Sequence, residues 1–321
     1  MAEVLLIDRD QVRNLIADDI AFVKSVVLEA FRVHHEKSCV QPPKQYLQES
    51  EASHTADRII SMSAYIKGGS PISGIKWIGS KHTNPRLVLN RSSALIVLND
   101  PQTNFPIAVL DGSLISAMRT LAVSLIAVER FKPDVKSIAC IGMGRLGKLH
   151  ARILSAYYPS IERIVCFSRH APFDELLSMR GVEKSPSLKK ALDGAEVIIT
   201  TTVADKPYIQ LKQLGHVRLV INLSLMDFHL EVYQNSDVVV DDWLQCTLAK
   251  KVLRQGIDRG LIRRENVLEL SDTLFGKSKI RRFAKRVIVN PLGMAIEDIL
   301  LAWEVFQRLK STEHLASFQI E

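Results

Sequence analysis

Cysteine is scarce in this sequence, which has four cysteines among 321 residues and no C-x-x-C pair. Cys140 and Cys166 lie inside apolar, strand-like runs, a setting typical of buried free thiols. The sequence therefore predicts neither a disulfide framework nor a metal site. Scattered, reduced thiols also indicate a reducing compartment.

Long apolar runs are missing as well. No run reaches the roughly 18 residues that a membrane-spanning helix needs. Asp8 interrupts the N-terminal apolar stretch too early for a signal-peptide core. We also find no internal repeat and no low-complexity tract. These observations predict a cytoplasmic protein that does not associate with membranes.

The charge balance is basic, with a net charge of +7 and a pI of about 9.2. The densest basic run is residues 276–286, but no nucleic-acid-binding module accompanies it and the other basic residues are dispersed. We therefore expect no nucleic-acid partner. Two explanations of the charge stay open, a solvated basic face and a site for anionic small molecules.

The first third of the chain mixes helices and strands. Apolar residues at helical spacing predict a helix over 18–33, and a second, longer one is predicted over 113–131. Residues 58–66 and 73–80 are strand-like and are separated by the turn "KGGSP", and residues 93–100 and 105–112 resemble a hairpin.

From Pro133 onward the pattern changes to alternating strands and helices. Strands are predicted over 137–142, 163–167, 196–201, 218–224, 237–242 and 286–291. Such alternation is typical of a mainly parallel sheet covered on both faces. We therefore predict an α/β protein of two domains: a doubly wound Rossmann domain over 125–299, and an α+β substrate-binding and dimerisation domain over 1–124 that is completed by 300–321, including the end of the amphipathic C-terminal helix.

A G-x-G-x-x-G motif, Gly142 to Gly147, directly follows a predicted strand and opens a predicted helix. In that context Gly142 permits the tight turn, Gly144 admits a pyrophosphate close to the backbone, and Gly147 lets the helix pack against the strand. The helix N-terminus offers free N–H groups to phosphates. The motif therefore predicts a dinucleotide site.

Ser168 lies 21 residues after Gly147, where an acid that binds the ribose of NAD is expected. A hydroxyl followed by the Arg169 guanidinium suits a 2′-phosphate instead. This pair favours NADP(H). The alternative is that Arg169 is a surface residue and that either cofactor is accepted.

Ligands of open α/β sheets lie beyond the carboxyl ends of the strands, and this rule selects further residues. Thr201 and Thr202 follow one predicted strand and are candidates to line the nicotinamide pocket. Asp227 follows another and is the best candidate for an acid/base group. Asp241 and Asp242 either cap a helix or line the cleft.

The first domain must supply the substrate contacts. Strand alternation puts Lys76 and Trp77 on opposite faces, so that Lys76 can point into a cleft. Arg119 interrupts an apolar helix face, and a buried arginine requires an anionic partner. That partner is either an internal acid or the carboxylate or pyrophosphate of a ligand.

Several long blocks resemble one known family. "SLISAMRTLAVS", the glycine motif, "TTTVADKPY", "VINLSLMD" and "NPLGMAIEDI" are similar to the ornithine cyclodeaminase/μ-crystallin family along nearly the whole chain. "ADRIISM", "ISGIKWIGSKHTNP", "LNDPQTNFPIAV" and "VVVDDWLQC" resemble the branch of the family that makes 2,3-diaminopropionate for siderophores and related peptides.

The resemblance implies a homodimeric oxidoreductase. In that branch the substrate N-(2-amino-2-carboxyethyl)-L-glutamate is oxidised at the glutamate Cα–N bond with hydride transfer to a nicotinamide cofactor, and imine hydrolysis gives 2-oxoglutarate and 2,3-diaminopropionate. A pyridoxal-phosphate-dependent synthase makes the substrate. The branch uses NAD, whereas Ser168 and Arg169 favour NADP, and both cofactors stay open.

Carried over by position, the resemblance also implies roles for individual residues. Asp227 would be the base that activates water, Lys76 would bind the substrate carboxylate, and Lys44 stands where cyclodeaminases have a substrate-binding arginine. Where cyclodeaminases carry a glutamate, this chain offers Arg58 and Ile60. A site rich in cations suits a substrate with three carboxylates better than it suits ornithine.

The full set of expected site residues is as follows. Catalytic residues are Asp227 and Lys76; substrate-binding residues are Lys44, Arg58, Lys76, Lys81 and Arg119; cofactor-binding residues are Arg119, Thr120, Gly142, Gly144, Arg145, Leu146, Gly147, Ser168, Arg169, Thr201, Thr202 and Pro291; no metal is expected. The alternatives are an ornithine cyclodeaminase, an NADPH-dependent imine or ketimine reductase, and a μ-crystallin-like binder without catalytic activity.

Overall fold

The computed structural model of the chain describes residues 2–50, 57–68, 71–249, 251–276, 286–311 and 314–321. It divides into two compact units. Unit 1 comprises residues 1–123 and 293–321, and unit 2 comprises residues 124–292. Of the basic run 276–286, residues 277–285 lie outside the described residues.

Unit 1 is built on one mixed sheet. Its strands are β1 (Ala2–Ile7), β2 (Cys39–Val40), β3 (Gln45–Leu47), β4 (Arg58–Ile66), β5 (Ile72–Ser80), β6 (Ser92–Asn99), β7 (Pro106–Asp111) and β16 (Ala316–Ile320), and its helices are α1 (Arg9–Ile16), α2 (Ile20–His35), the first part of α3 (Gly112–Phe131) and α10 (Ala295–Leu309). The strands lie in the order β16-β1-β7-β6-β5-β4-β2, and β3 also pairs with β4.

The long strands of this sheet bury one face. Along β4 and the first part of β5, buried and more exposed residues alternate, as the period of two in a strand requires. The buried face packs against α10, which also packs against α2. The C-terminal helix returns to the first unit, as predicted, and the hairpin predicted for β6 and β7 is present. In addition, β4 pairs antiparallel with β5.

Unit 2 is a doubly wound Rossmann unit, as predicted. Its strands are β8 (Ser137–Ile141), β9 (Arg163–Phe167), β10 (Val182–Lys184), β11 (Val197–Thr200), β12 (Leu219–Asn222), β13 (Ser236–Val240), β14 (Val267–Glu269) and β15 (Arg286–Val289), and its helices are the end of α3, α4 (Arg145–Tyr157), α5 (Leu188–Leu192), α6 (Leu230–Gln234), α7 (Trp243–Leu248), α8 (Val252–Asp258) and α9 (Leu270–Phe275). All strand pairs are parallel.

The strand order of unit 2 is β10-β9-β8-β11-β12-β15-β13-β14. From β8 the chain proceeds outward through β9 and β10 and then crosses to β11 on the other side of β8. The carboxyl ends of β8 and β11 therefore form the switch point at which such sheets bind ligands. The glycine motif lies at this point.

The structure differs from the expected boundaries at the C-terminal end. The return to the first unit was expected at residue 300, but it occurs at Gly293. The reason is that α10 packs against α2 and the sheet of unit 1, and that Glu297 and Asp298 in its first turn pair with Lys76 and Arg119. At the other boundary, the division falls at Val123 rather than after residue 124.

The helix α3 is long and apolar enough to cross a membrane, which the sequence reading overlooked. However, 67% of its most apolar stretch is buried inside the protein. It is therefore a core helix, and its apolarity reflects burial within the fold.

Candidate functional site

The turn after β8 has the geometry that its three glycines predict. Gly142 has φ of +95°, a conformation that side chains rarely adopt, and its N–H donates to the Phe167 carbonyl over 2.8 Å. A Cβ at Gly147 would lie 1.9 Å from the Gly142 oxygen. At Gly144 a Cβ would meet nothing within 4 Å. Gly142 and Gly147 therefore shape the turn, whereas Gly144 leaves open space at its surface.

That open space lies at the N-terminus of α4. Gly144 is the N-cap residue of this helix, and no side chain caps the helix there. Arg145 and Leu146 form its first turn, with Arg145 exposed and Leu146 half-buried. Uncapped N–H groups beside open space fit a pyrophosphate, so the residues of this turn suit a bound dinucleotide.

The threonines after β11 tie the turn to the next part of unit 2. The Thr201 hydroxyl donates to the Gly142 carbonyl over 2.5 Å, and its N–H donates to the Ile141 carbonyl. The Thr202 N–H donates to the Ser224 hydroxyl over 2.6 Å. Thr201 was predicted as a cofactor contact. In the structure its hydroxyl group stabilises the glycine turn through the hydrogen bond to the Gly142 carbonyl.

Asp227 is fully buried at the end of the segment that follows β12. Its Oδ1 accepts two hydrogen bonds, one from the Thr202 hydroxyl over 2.5 Å and one from the Tyr208 hydroxyl over 2.7 Å. Its Oδ2 is buried without a hydrogen-bond partner. One oxygen is thus held in place, while the lone pairs of the other are not used by any described hydrogen bond, which leaves it the more basic of the two.

Tyr208 is a residue of this site to which the sequence reasoning gave no role. Besides the hydroxyl contact, its N–H and that of Ile209 donate to the Asp227 carbonyl, each over 2.9 Å. Burial and then the Asp227 charge raise the pKa of the Tyr208 phenol well above its usual range, so the phenol is a proton donor at neutral pH. "DKPY" contains no signal for this contact, because Asp227 lies 19 residues further along the chain.

Arg169 reaches this cluster from the end of β9. Its guanidinium carbon lies 5.2 Å from the centre of the Tyr208 ring, within cation–π range. The Ser168 hydroxyl accepts a hydrogen bond from the Ala171 N–H over 3.1 Å. Unit 2 therefore brings together the glycine turn, Thr202, Tyr208, Asp227 and Arg169. Pro291, another predicted cofactor residue, is buried just after β15.

Of the two aspartates after β13, Asp242 caps a helix. It precedes α7, and its Oδ1 accepts from the Gln245 N–H over 2.8 Å. Asp241 Oδ1 accepts from the Asp242 N–H. The capping alternative is thus confirmed for Asp242.

Unit 1 contains a buried cluster of four charges, formed by Lys76, Arg119, Glu297 and Asp298. Lys76 Nζ lies 2.6 Å from Asp298 Oδ2, Arg119 Nη1 lies 2.8 Å from Glu297 Oε2, and Arg119 Nε lies 3.2 Å from Asp298 Oδ1. Of the two partners open for Arg119, the structure shows the internal one. Glu297 and Asp298 were not among the predicted site residues, although the quoted block "NPLGMAIEDI" contains both.

Lys76 faces the buried side of the sheet, as the alternation predicted, since it is fully buried and Trp77 is 49% exposed. Burial lowers the pKa of the Lys76 ammonium to about 7, despite the opposing attraction of Asp298. The charges of Arg119 and Lys44 lower it further. Lys76 is therefore a cation whose protonation state changes near neutral pH.

The remaining predicted residues of unit 1 are distributed as follows. Lys44 is half-buried and close enough to Lys76 to affect its pKa. Arg58 is half-buried over the Tyr46 ring, and Lys81 is exposed after β5. The Thr120 hydroxyl donates to the Ser116 carbonyl within α3 over 2.8 Å. In the described part of the chain, no group of three or more His, Cys, Asp or Glu side chains could hold a metal ion.

Comparison of the sequence with models of known protein families identifies one family. The sequence model of the ornithine cyclodeaminase/μ-crystallin family matches residues 8–313. The chain belongs to this family. The resemblance seen in the sequence is thus confirmed.

Three known proteins are similar to the chain along nearly its whole length. N-((2S)-2-amino-2-carboxyethyl)-L-glutamate dehydrogenase of Staphylococcus aureus is 38% identical over 320 residues, which cover 95% of both chains. The crystal structure of CmnK superposes with a TM-score of 0.84 and 26% identity, covering 100% of this chain and 99% of that one. An archaeal alanine dehydrogenase dimer with bound NAD superposes with a TM-score of 0.85 and 22% identity, covering 99% and 100%.

The glycine turn generates a first prediction. Gly147→Ala should lower the thermal unfolding midpoint by about 5 °C or more, because its Cβ overlaps the Gly142 carbonyl. Gly144→Ala is the matched control and should shift the midpoint by less than about 3 °C. Differential scanning calorimetry measures both. Equal shifts of the unfolding midpoint in the two variants would contradict the conclusion that Gly147, and not Gly144, is needed for packing.

Lys76 generates a second prediction. Its pKa is about 7 in the folded protein and 10.5 when exposed, so between these values the unfolded chain binds the extra proton. The free energy of unfolding should therefore rise with pH across this window. Relative to Lys76→Met, the wild type should gain about 1 kcal/mol or more between about pH 7.5 and about pH 9.5.

Urea unfolding at several pH values measures this effect. Lys81→Met, at an exposed position, is the control and should follow the wild type. If the free energy of unfolding changed with pH in the same way for the wild type and Lys76→Met, Lys76 would not change its protonation in this range.

Proposed function

We propose that this protein is a nicotinamide-dependent dehydrogenase that oxidises the glutamate Cα–N bond of N-(2-amino-2-carboxyethyl)-L-glutamate. Hydrolysis of the resulting imine gives 2,3-diaminopropionate and 2-oxoglutarate. The observation that carries this proposal is the 38% identity, over 95% of both chains, to the Staphylococcus aureus dehydrogenase named for that substrate.

The charges of unit 1 support an anionic substrate. Lys76 and Arg119 are held near Lys44, and Arg58 lies on the same face of the sheet. Glu297 and Asp298 balance only part of this positive charge. A substrate carboxylate that binds here also stabilises the charged form of Lys76. Ornithine carries a second amine, which these cations would repel.

The glycine turn of unit 2 supports a dinucleotide cofactor. In this proposal the α4 N-terminus and Gly144 hold its pyrophosphate, and Ser168 and Arg169 lie beside its adenosine ribose. The nicotinamide, when bound, accepts the hydride that leaves the substrate carbon. Thr202 and Asp227 lie after β11 and β12, at the carboxyl edge of the sheet where that ring belongs.

Asp227 is the proposed base. Thr202 and Tyr208 hold Oδ1, and in this proposal Oδ2, which has no hydrogen-bond partner, faces the reacting groups. Oδ2 takes a proton from the water that attacks the imine carbon, and the carboxyl group then returns it to the leaving amine. Tyr208 is a positioning residue in this scheme, because it acts through the carboxylate and the phenol stays protonated.

We also propose that the protein is a homodimer, supplied with substrate by a pyridoxal-phosphate-dependent synthase. The outer face of the unit 1 sheet supports self-association. Trp77 and Leu95 are register partners on that face and are about half exposed, at 49% and 51%. Adjacent large apolar side chains of this kind are typical of interfaces.

The test of the reaction is incubation of purified protein with the amino acid and NAD or NADP. We expect reduced nicotinamide, 2-oxoglutarate and 2,3-diaminopropionate in equal amounts, measured by absorbance and mass spectrometry. Ammonia and proline from ornithine without net cofactor reduction would indicate a cyclodeaminase. NADPH oxidation with a cyclic imine would indicate a reductase, and cofactor binding without turnover would indicate a binding protein.

Asp227 generates a prediction for this reaction. Asp227→Asn should lower kcat about 100-fold or more and leave dinucleotide affinity nearly unchanged, because the amide keeps the shape but cannot take the proton. Tyr208→Phe should lower kcat by a smaller factor, about tenfold. Asp205→Asn, an exposed acid in the loop after β11, is the control. Turnover near that of the wild type in Asp227→Asn would remove Asp227 from the mechanism.

Arg169 generates a prediction for the cofactor. The wild type should accept NADP at least as well as NAD, since a 2′-phosphate needs a cation and a hydroxyl donor. Replacing Ser168 by Asp together with Arg169 by Gln should shift the ratio of kcat/KM values toward NAD about tenfold or more. His170→Gln is the neighbouring control. A wild type that strongly prefers NAD would show that Arg169 does not contact the phosphate.

A further inference from the structure

Two arginines lie at one end of the unit 1 sheet. Arg58 is the first residue of β4, and its register partner Ser80 is the last residue of β5. Ser80 is in turn the partner of Ser92, the first residue of β6. Arg91 directly precedes Ser92, and its carbonyl accepts from the Lys81 N–H over 2.9 Å. Arg58 and Arg91 therefore lie at the same end of the sheet, at the starts of β4 and β6, with β5 between them.

Arg58 shares a face of the sheet with Lys76. Lys76 is the register partner of Met62, and residues an even number apart along a strand point to the same side. Arg58 precedes Met62 by four residues, or about 13 Å at 3.3 Å per residue. Both side chains are long enough to bring their charged groups closer together than this backbone distance.

In the described ranges neither Arg58 nor Arg91 forms an ion pair, and the Arg58 Nε is buried without a hydrogen-bond partner. Asp57, the adjacent acid, is bound to the His82 ring over 2.8 Å. Burial, and then the charge of Arg58, lowers the pKa of Arg91. Arg91 is exposed and Arg58 is half-buried, so a ligand can reach the pair, and a bound anion would satisfy the Arg58 Nε and offset the repulsion between the two charges.

We propose that Arg58 and Arg91 bind the carboxylate of the substrate that is remote from the reacting carbon. This inference rests on the proposed function and deepens it. Lys76 and Arg119 then bind the carboxylate on the reacting carbon, while the arginine pair selects an amino acid with an anionic side chain. A planar guanidinium pair suits a carboxylate because each can donate two parallel hydrogen bonds.

The test uses two probes that differ only in the remote group. 2-Oxoglutarate and 2-oxopentanoate share the 2-oxo-acid end, and only the first has a terminal carboxylate. Isothermal titration calorimetry with saturating reduced dinucleotide measures their dissociation constants. The wild type should bind 2-oxoglutarate at least about tenfold more tightly. Arg58→Gln and Arg91→Gln should each lose most of this preference, and leave 2-oxopentanoate affinity unchanged.

Two further variants sharpen the test. Arg91→Lys keeps the charge and should retain part of the preference, whereas Arg86→Gln, an exposed arginine in the neighbouring turn, should behave as the wild type. A wild type without preference for 2-oxoglutarate overturns the proposal. The proposal is also overturned if the Arg58→Gln and Arg91→Gln variants keep the preference, or if they lower the affinity for both probes equally.

The experiments distinguish an error in the proposed carboxylate site from an error in the proposed reaction. A wild type that does not oxidise N-(2-amino-2-carboxyethyl)-L-glutamate overturns the reaction. The site still stands if the preference for 2-oxoglutarate depends on both arginines. Conversely, normal oxidation with unchanged kcat/KM in Arg58→Gln and Arg91→Gln overturns the site and leaves the reaction in place.

Discussion

Four charges buried together are a strong constraint on the fold of unit 1. Lys76 comes from β5, Arg119 from α3, and Glu297 and Asp298 from the first turn of α10. Removing one partner would leave an uncompensated charge in the interior, at a cost of about 3–5 kcal/mol. The chain must therefore return to unit 1 at Gly293, before α10 begins, and not part-way along the helix. The same pairing holds Lys76 and Arg119 on the buried face of the sheet, with their charged groups close together.

A comparable constraint in unit 2 is the glycine turn. Gly147 lies so close to the Gly142 carbonyl that no side chain fits, and Thr201 closes the turn from the next strand. Because β11 lies beside β8, the segments that follow β11 and β12 are brought to the same edge. Thr202, Tyr208 and Asp227 meet there. The hydrogen bonds within this group leave one carboxylate oxygen without a partner, which in our proposal is the reactive atom.

The elements that a local pattern could predict are present. The strands β8, β9, β11 and β12, the long helix α3 and the hairpin of β6 and β7 follow from hydrophobic periodicity and turn residues. The elements that were missed depend on distant partners. β1 pairs with β7 and with β16, so that residues near the two ends of the chain lie side by side. Short segments such as β16 have no periodicity long enough to indicate a strand, and only their pairing stabilises them.

The amino-acid sequence by itself determined the Rossmann unit, the glycine turn, the family and the opposite orientation of Lys76 and Trp77, because each depends on residues close together in the chain. The tertiary structure decided which groups meet. Arg119 pairs with acids 178 and 179 residues away, and Asp227 accepts from Tyr208 and Thr202. Arg58 and Arg91 lie at the same end of the sheet, and no acid among the described residues pairs with either. The type of a residue limits which groups its side chain can bind. Its partner is set by strand order and register, which bring distant segments within hydrogen-bond distance.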